Sequence, residues 1–568
     1  MKLRSVFCST LLCSLALVAG SSPASAPSES DIPHLRKQGT ATELIVDGKP
    51  FLALAGELSN NSATSLENMK VIWPRLVAQS NLNTVLAGVS WAQIEPQEGK
   101  FDFSVLDGVI REARTHNMRL VLLWFASWKN GLSSYPPYWV KKDFERFPRV
   151  QIAGGKSIEL LSTFGDANRD ADARAFAALM RHVKTVDGRQ HTVIMIQVEN
   201  EVGILGDSRD RCPAANQAYA GPVPMELMDY LQQHKETLAP ELRAVWAASN
   251  FKTSGTWEQV FGPGRPESIP PIPETERATA WHKSWWLVDE VFMAWRYSMY
   301  VNQVAAAGKA EYDIPMYCNT WLQEPQNPQP GDFPSGCSEP EVHDIWRFGA
   351  PKIDFLAPDL YVQTFAETCE RFTRNGNPLF IPETRNQMLA RTLYAFGRHD
   401  AIGLSLMGVE RSATPDNDLI SCYDLITQLA PLISEHQGKG TMSAVLIGPD
   451  DPPQKVPLGN YTLEVAYLRP RVAAGATTSP QQALPASGAI FIATGPDEYY
   501  LAGNSVSVTF SPNTPGPGQA GLGMVEEGKF VKGRWIAGCL LAGDDTGQGK
   551  NISLRNTGIQ RVVLYRYR

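Results

Sequence analysis

A chain of 568 residues, 43% hydrophobic and 20% charged with a formal net charge of -7, has material for a large core and for more than one domain. Its mild acidity and the lack of any dense Lys/Arg run exclude a polyanion-binding surface, so nucleic acid is not an expected partner. No stretch beyond the amino-terminal one is long and apolar enough to span a bilayer.

The amino terminus reads as an export signal. Lys2 and Arg4 form a basic region, Val6 to Ala19 an apolar one, and Ala24-Ser25-Ala26 a small-residue cleavage site. Removal of residues 1–26 is expected to leave an exported chain, periplasmic or secreted, with a net charge of -7 − 2 = -9. Six cysteines then remain, Cys212, Cys318, Cys337, Cys369, Cys422 and Cys539, with no close pair among them. An oxidising compartment permits disulfides; free buried thiols are the alternative.

Apolar runs then alternate with helical patterns, as parallel strands alternate with crossover helices. Eight strands are expected: Phe51 to Ala55, Thr84 to Val89, Arg119 to Trp124, Val193 to Val198, Ile314 to Cys318, Ile353 to Ala357, Leu379 to Ile381 and Ile402 to Met407. Helical stretches include Val105 to His116 and Asp172 to Thr185, each with an apolar stripe. The expected fold is α/β, a (β/α)8 barrel over residues 27–435, with its chemistry on the loops after the strand carboxyl ends. The strand-like run Arg243 to Ser249 is assigned to a long insertion between the fourth and fifth strands, which also holds Pro263 to Pro273. Loops at Lys129 to Pro137 and Glu324 to Pro340 are rich in turn formers and are expected to shape a pocket. From Thr441 helical periodicity fades into short β-rich segments such as Tyr461 to Tyr467, Ala489 to Ala493, Ser505 to Phe510 and Val562 to Tyr567. Residues 436–568 therefore read as a β-sandwich domain.

Two strand ends carry the chemistry. Val193 to Val198 stops in Glu199, Asn200 and Glu201, followed by Val202 and Gly203; Pro378 to Ile381 stops at Pro382, Glu383, Thr384 and Arg385. Polar groups at the carboxyl end of a buried strand are placed to meet a ligand. Glu201 and Glu383 lie 383 − 201 = 182 residues apart, yet a barrel brings its fourth and seventh strand ends to one mouth. Paired carboxylates suit cleavage of a glycosidic bond, one as acid/base and one as nucleophile. Asn200 beside Glu201 offers an amide to a sugar hydroxyl, which makes Glu201 the acid/base candidate and Glu383 the nucleophile, with Arg385 as one donor to it. The competing reading is two unrelated surface or ion-paired glutamates.

The stretch Gln197-Val198-Glu199-Asn200-Glu201-Val202-Gly203 resembles the acid/base motif of glycoside hydrolase family 35, the β-galactosidases. Gly56-Glu57, Trp91 through Glu95-Pro96, and Ala126-Ser127-Trp128 resemble the family's segments after the first three strands, and Pro382-Glu383 its nucleophile strand. The match covers most of residues 45 to 430. The chain departs from the family at Ser127, where a Glu that helps hold galactose is common, and at Ala92, where Asn usually follows the Trp. The resemblance implies a retaining mechanism with no metal and no organic cofactor. The candidate substrate-binding residues are Asn200, Glu57, Trp128, Ser127, Tyr361 and Trp91. Glu57 is read as a hydroxyl ligand or the partner of a barrel arginine, Trp91 and Trp128 as stacking walls or core, and Tyr361 as a donor to the nucleophile. Glu410 and Arg411 end the eighth strand, lining the mouth or forming an internal salt bridge. No His spacing marks a catalytic metal.

The expected activity is that of an exo-acting β-galactosidase on galactose-terminated oligosaccharides or polysaccharides, plant cell-wall fragments such as xyloglucan among them. The alternatives are a retaining β-glycosidase of another sugar specificity and a non-catalytic glycan-binding protein. Nothing in the sequence fixes an oligomeric state.

Overall fold

The computed structural model describes residues 32–266, 286–362, 364–385, 387–411, 414–469 and 484–568. The expected export signal lies outside them. Eight parallel strands close in sequence order into a barrel. They are β1 (Ala53–Glu57), β2 (Thr84–Ser90), β3 (Arg119–Lys129), β4 (Val193–Asn200), β5 (Met316–Trp321), β6 (Phe355–Leu360), β7 (Phe380–Thr384) and β8 (Gly403–Met407). Each is followed by a helix: α1 (Leu66–Ala78), α2 (Ser104–Thr115), α3 (Asp166–Asp187), α4 (Leu287–Glu311), α5 (His343–Gly349), α6 (Phe365–Phe372), α7 (Met388–His399) and α8 (Asn417–His436). Side-chain caps fix two starts: Ser65 Oγ accepts from the Asn68 N–H at α1, and the Asp416 carboxylate accepts from the N–H groups of Asp418 and Leu419 at α8.

Strand alternation builds two cores. In β3, Val121, Leu123 and Phe125 join Ala53, Ala55, Leu86, Tyr317 and Phe380 in the barrel interior. Leu120, Leu122 and Trp124 belong instead to the layer between strands and helices. Leu44 and Val46, from an antiparallel sheet of His34–Gln38, Ala41–Val46 and Lys49–Pro50, also enter the interior cluster. The run Arg243 to Ser249 is helical, inside Pro240–Ala248. Pro240 suits a first helical turn, and Leu242 and Trp246, four residues apart, bury one face, so a helical period prevails over a local β-like composition.

The carboxyl-terminal strands are β9 (Met442–Ile447), β10 (Gln454–Leu458), β11 (Tyr461–Tyr467), β12 (Ser487–Ala493), β13 (Glu498–Gly503), β14 (Val506–Pro512), β15 (Gln519–Val531), β16 (Arg534–Leu540), β17 (Ile552–Leu554) and β18 (Gly558–Tyr567). They form a six-stranded sheet, β9-β12-β13-β18-β15-β16, and a four-stranded sheet, β10-β11-β14-β17. The six-stranded sheet has two apolar faces. Ala444, Ile490 and Ile492 merge with the barrel's outer core, whereas Val445, Ile447 and Phe491 pack with Val456, Leu463 and Val508 of the smaller sheet. A methyl group added at Gly397 of α7 would lie 2.7 Å from both Ala444 and Ile490, so the helix docks on this sheet through a backbone contact. The six cysteines are free thiols, Cys539 exposed and the other five buried. Among the described residues no helix is long and apolar enough to cross a membrane.

Candidate active site

The end of β4 is held in an unusual backbone path. Glu199 and Glu201 both adopt left-handed φ angles, +63° and +44°. Such values are uncommon outside glycine and persist only where the surroundings enforce them. The enforcing contacts come from both neighbouring strands. The Glu199 carboxylate accepts from the N–H groups of Ser127 (3.2 Å) and Trp128 (2.8 Å) on β3. The Glu201 N–H donates to Asn319 Oδ1 on β5 at 3.0 Å, and the Glu201 carbonyl accepts from the Gly131 N–H at 3.1 Å. Gly203 completes the turn at φ +136°, where a Cβ would lie 2.5 Å from the Pro334 carbonyl. The polar ending of β4 is thus a rigid device that presents Glu201.

Glu201, Asp359 of β6 and Glu383 of β7 each bring a carboxylate oxygen within 4.8 Å of the other two. All three are buried. They face a cavity of about 390 Å³, within the range of small-ligand sites, whose other walls include Asn130, Trp321, Leu322, Glu324 and Tyr361. Asp359 stands in register with Glu383 on one side and with Trp321 on the other. The Tyr361 hydroxyl donates to Glu383 Oε2 at 2.6 Å and fixes that carboxylate's orientation. Burial, and then the charge of Glu383, push the Glu201 carboxyl up to about 7, against a smaller downward pull from Lys129. Asp359 is raised well above the usual carboxylate range by burial, Glu383 and Glu201. Among the described residues this trio is also the arrangement whose oxygens could surround a cation.

Asn200 and Glu57 sit beside the trio. Asn200 Oδ1 accepts from Lys129 Nζ and from Gln197 Nε2, both at 3.0 Å. That leaves its Nδ2, buried and without a partner, as the group offered to a ligand. Glu57, 1% exposed, has no partner on either oxygen. Burial raises its carboxyl well above the usual range, with Glu383 adding to the rise and Lys129 opposing it. Among the described residues no arginine pairs with it.

Three of the residues expected to bind substrate point elsewhere. Ser127 Oγ donates to Asp172 Oδ2 of α3 at 2.5 Å and bonds the Tyr300 hydroxyl of α4 at 2.7 Å. Trp128 donates from Nε1 to the Leu161 carbonyl and packs against Tyr297 and Tyr300. Trp91, fully buried, donates to Glu95 Oε2 and meets the edge of Trp139. The reason is register. β3 runs to Lys129, 129 − 124 = 5 residues past the expected end, and shifts its pairing with β4 between Trp124 and Lys129. Lys129 is therefore the side chain of this segment that reaches Asn200, and Trp321 joins Tyr361 as an aromatic ring on the cavity wall. Glu410 and Arg411 do not pair with each other: Glu410 Oε1 accepts from the Ser59 N–H and Ser62 Oγ, and Arg411 Nε donates to Ser59 Oγ. Arg385 lies over the Tyr361 ring at 5.8 Å. Lys129, Asn319, Asp359 and Trp321 went unassigned in the sequence reading; the last three share a legible signal, a polar or aromatic group at a strand carboxyl end.

A family model, Glyco_hydro_42, described as Beta-galactosidase, matches residues 72–387, more than half of the chain and six of the eight barrel strands, β2 to β7. The chain belongs to this beta-galactosidase family. The motif resemblance points to family 35, and the two agree at the level of β-galactosidase. A second model, a domain of unknown function (DUF5597), matches residues 419–553, from α8 into the carboxyl-terminal sheets. A beta-galactosidase of Xanthomonas manihotis is 29% identical over 199 residues, 33% of this chain and 29% of that protein, so the chain spans under a third of that relative's length. Solved beta-galactosidase structures are similar to this chain at low identity. That from Bacillus circulans sp. alkalophilus is 16% identical with a TM-score of 0.44, covering 67% of this chain and 57% of its own. That from Rahnella sp. R3 is 16% identical with a TM-score of 0.42, covering 68% and 57%.

Proposed function

We propose that this chain is a retaining exo-β-galactosidase. The observation that carries the reading is the convergence of Glu201 and Glu383, from the fourth and seventh strand ends, to within 4.8 Å on one cavity. A nucleophile that captures the sugar directly works at about 5 to 5.5 Å from the acid, whereas inversion needs a wider gap with room for water. Glu383 attacks the anomeric carbon while Glu201, protonated near neutral pH, gives its proton to the departing oxygen. Water then attacks the glycosyl carbon, Glu201 takes its proton, and Glu383 is released. Asn200 Nδ2 and Glu57 offer groups to the hydroxyls of the bound sugar, and Trp321 a flat wall.

The natural substrate we infer is the galactose end of a plant cell-wall oligosaccharide such as a xyloglucan fragment, met by an exported enzyme. The amino-terminal Lys2-to-Ala26 pattern supports export. The family 35 character of the chain rests on the Gln197–Gly203 segment. A mechanism-based fluorinated galactoside should label Glu383, as read by peptide mass; labelling of another residue would refute its role. A second reading, a retaining β-glycosidase of another sugar, draws on one observation: β3 carries Ser127 where the family commonly has a galactose-binding Glu, and the side chain it brings to Asn200 is instead the cation Lys129. Rates on a panel of aryl glycosides decide between the two.

A further inference from the structure

We propose that Asp359 is held in its neutral form, its proton lying between Oδ1 and the Glu201 carboxyl, and that it serves as a positioning residue for the acid/base group. The proposal rests on the reading of Glu201 as acid/base. Asn319 makes the case geometrically. Its Oδ1 accepts the Glu201 N–H, so its Nδ2 is the end that meets Asp359 Oδ2, at 2.7 Å. That fixes the Asp359 carboxyl and leaves Oδ1 buried without a donor. Glu201 Oε2 is likewise buried without one. Two carboxyls this close and this dry do not both ionise, so Asp359 keeps a proton whether Glu201 carries its own or has given it up.

The groups facing Asp359 are Glu201 from β4, Tyr317 from β5, Glu383 from β7, Glu57 from β1 and Tyr361 just after its own strand. The nearby cation, Lys129, is bound to Asn200 and acts on Glu57 and Glu201. Burial most of all, and then the carboxylates of Glu383, Glu201 and Glu57, disfavour a charge on Asp359.

The consequence lies in the two halves of the cycle. When Glu201 passes its proton to the glycosidic oxygen, the bond from C1 to that oxygen breaks and a bond from C1 to Glu383 forms. Asp359 keeps its own proton, and its hydrogen bond now falls on an anion, which strengthens it. When water adds to C1, its proton goes to Glu201 and the bond from C1 to Glu383 breaks; the Asp359 proton is again where it began. Asp359 therefore lowers the cost of the ionised Glu201 that the second half requires, without any net proton transfer of its own.

The isosteric variant Asp359→Asn can accept from Asn319 and donate to Glu201, as the neutral acid does. Its alkaline limb in kcat/KM should stay within roughly half a pH unit of the wild type. Asp359→Leu keeps the branched outline, though larger, but has no donor, and its alkaline limb should move upward. A fall of about one unit or more in Asp359→Asn would mean that an anion had been removed, and would overturn the proposal; so would an unmoved limb in Asp359→Leu. Infrared spectra of the unliganded full chain labelled with 13C-aspartate read the same proton without turnover. The wild type should show a protonated aspartate carbonyl band at neutral pH that Asp359→Asn loses. An unchanged band would sink the proposal even if the enzyme were active, whereas a lost band in a protein that cleaves no glycoside would sink the functional reading alone.

Discussion

Replacing Glu383 by Gln should lower the titration midpoint of Glu201. In the intact site Glu201 titrates at about 7 against an ordinary 4.5, with burial the larger cause and the Glu383 charge the next. Two unit charges 4.8 Å apart at an effective dielectric of about 20 repel by roughly 3.5 kcal/mol, or about 2.5 pH units. That is an upper bound, because each charge is spread over two oxygens and because burial must account for the greater part of the rise. The share that leaves with Glu383 is therefore about one unit, placing Glu201 near 6 in the variant. Side-chain carboxyl resonances of 13C-glutamate-labelled protein give the midpoint directly, and Glu201→Gln assigns the signal. The catalytic logic needs this coupling, since forming the glycosyl bond also neutralises Glu383 and so converts Glu201 from acid to base between the two steps. A midpoint in Glu383→Gln within about 0.3 unit of the wild type, or above it, would refute the reasoning.

The raised carboxyl of Glu201 also carries a stability cost at high pH. Its folded value lies above its unfolded one, so its contribution is fully present below pH 4.5 and lost as pH rises through about 7, some 7 − 4.5 = 2.5 units or roughly 3 kcal/mol. Urea unfolding of Glu201→Gln should match the wild type near pH 4, offsets apart, and gain about 3 kcal/mol on it by about pH 8. Tyr361→Phe removes the donor on Glu383 Oε2, a hydrogen bond to a charged group, and should lower kcat by about 10- to 100-fold with KM little changed in steady-state assays. Gly203→Ala should cost about 2 kcal/mol or more and lower the Tm, because φ +136° is barred to alanine and the new methyl meets the Pro334 backbone.

Most of the fold was legible because a barrel writes itself twice in a sequence. The apolar runs of β2 and β4 start at the residues expected, Thr84 and Val193, since a strand buried on both faces leaves no ambiguity at its amino end. The carboxyl ends were harder. β3, β5, β6 and β7 each continue into polar or aromatic residues, to Lys129, Trp321, Leu360 and Thr384, that composition alone assigns to loops. These are the strand ends on which the barrel builds its cavity, so the rule that finds a strand by its apolarity stops three to five residues short of the chemistry.

The same effect explains which site residues were readable. Glu201 and Glu383 stood out because each ends its apolar run in a short polar cluster that no core requires. The Ser127 and Trp128 side chains misled because the β3 segment carrying them shifts its pairing with β4, and a shift changes which side chain faces inward. No pattern in one strand reports a shift that two strands make together. Lys129 is the result: a cation delivered by that register, holding the Asn200 carbonyl oxygen so that the amide nitrogen is left for the ligand. The departure at Ser127 thus concerns the supporting layer more than the sugar, since its hydroxyl completes a buried network with Asp172 and Tyr300 behind the strand. A larger acidic side chain there would place another carboxyl beside Asp172 and Glu199, two groups that burial already pushes upward. With serine at this position, the Glu199 carboxylate takes the β3 backbone N–H groups and holds the turn that aims Glu201.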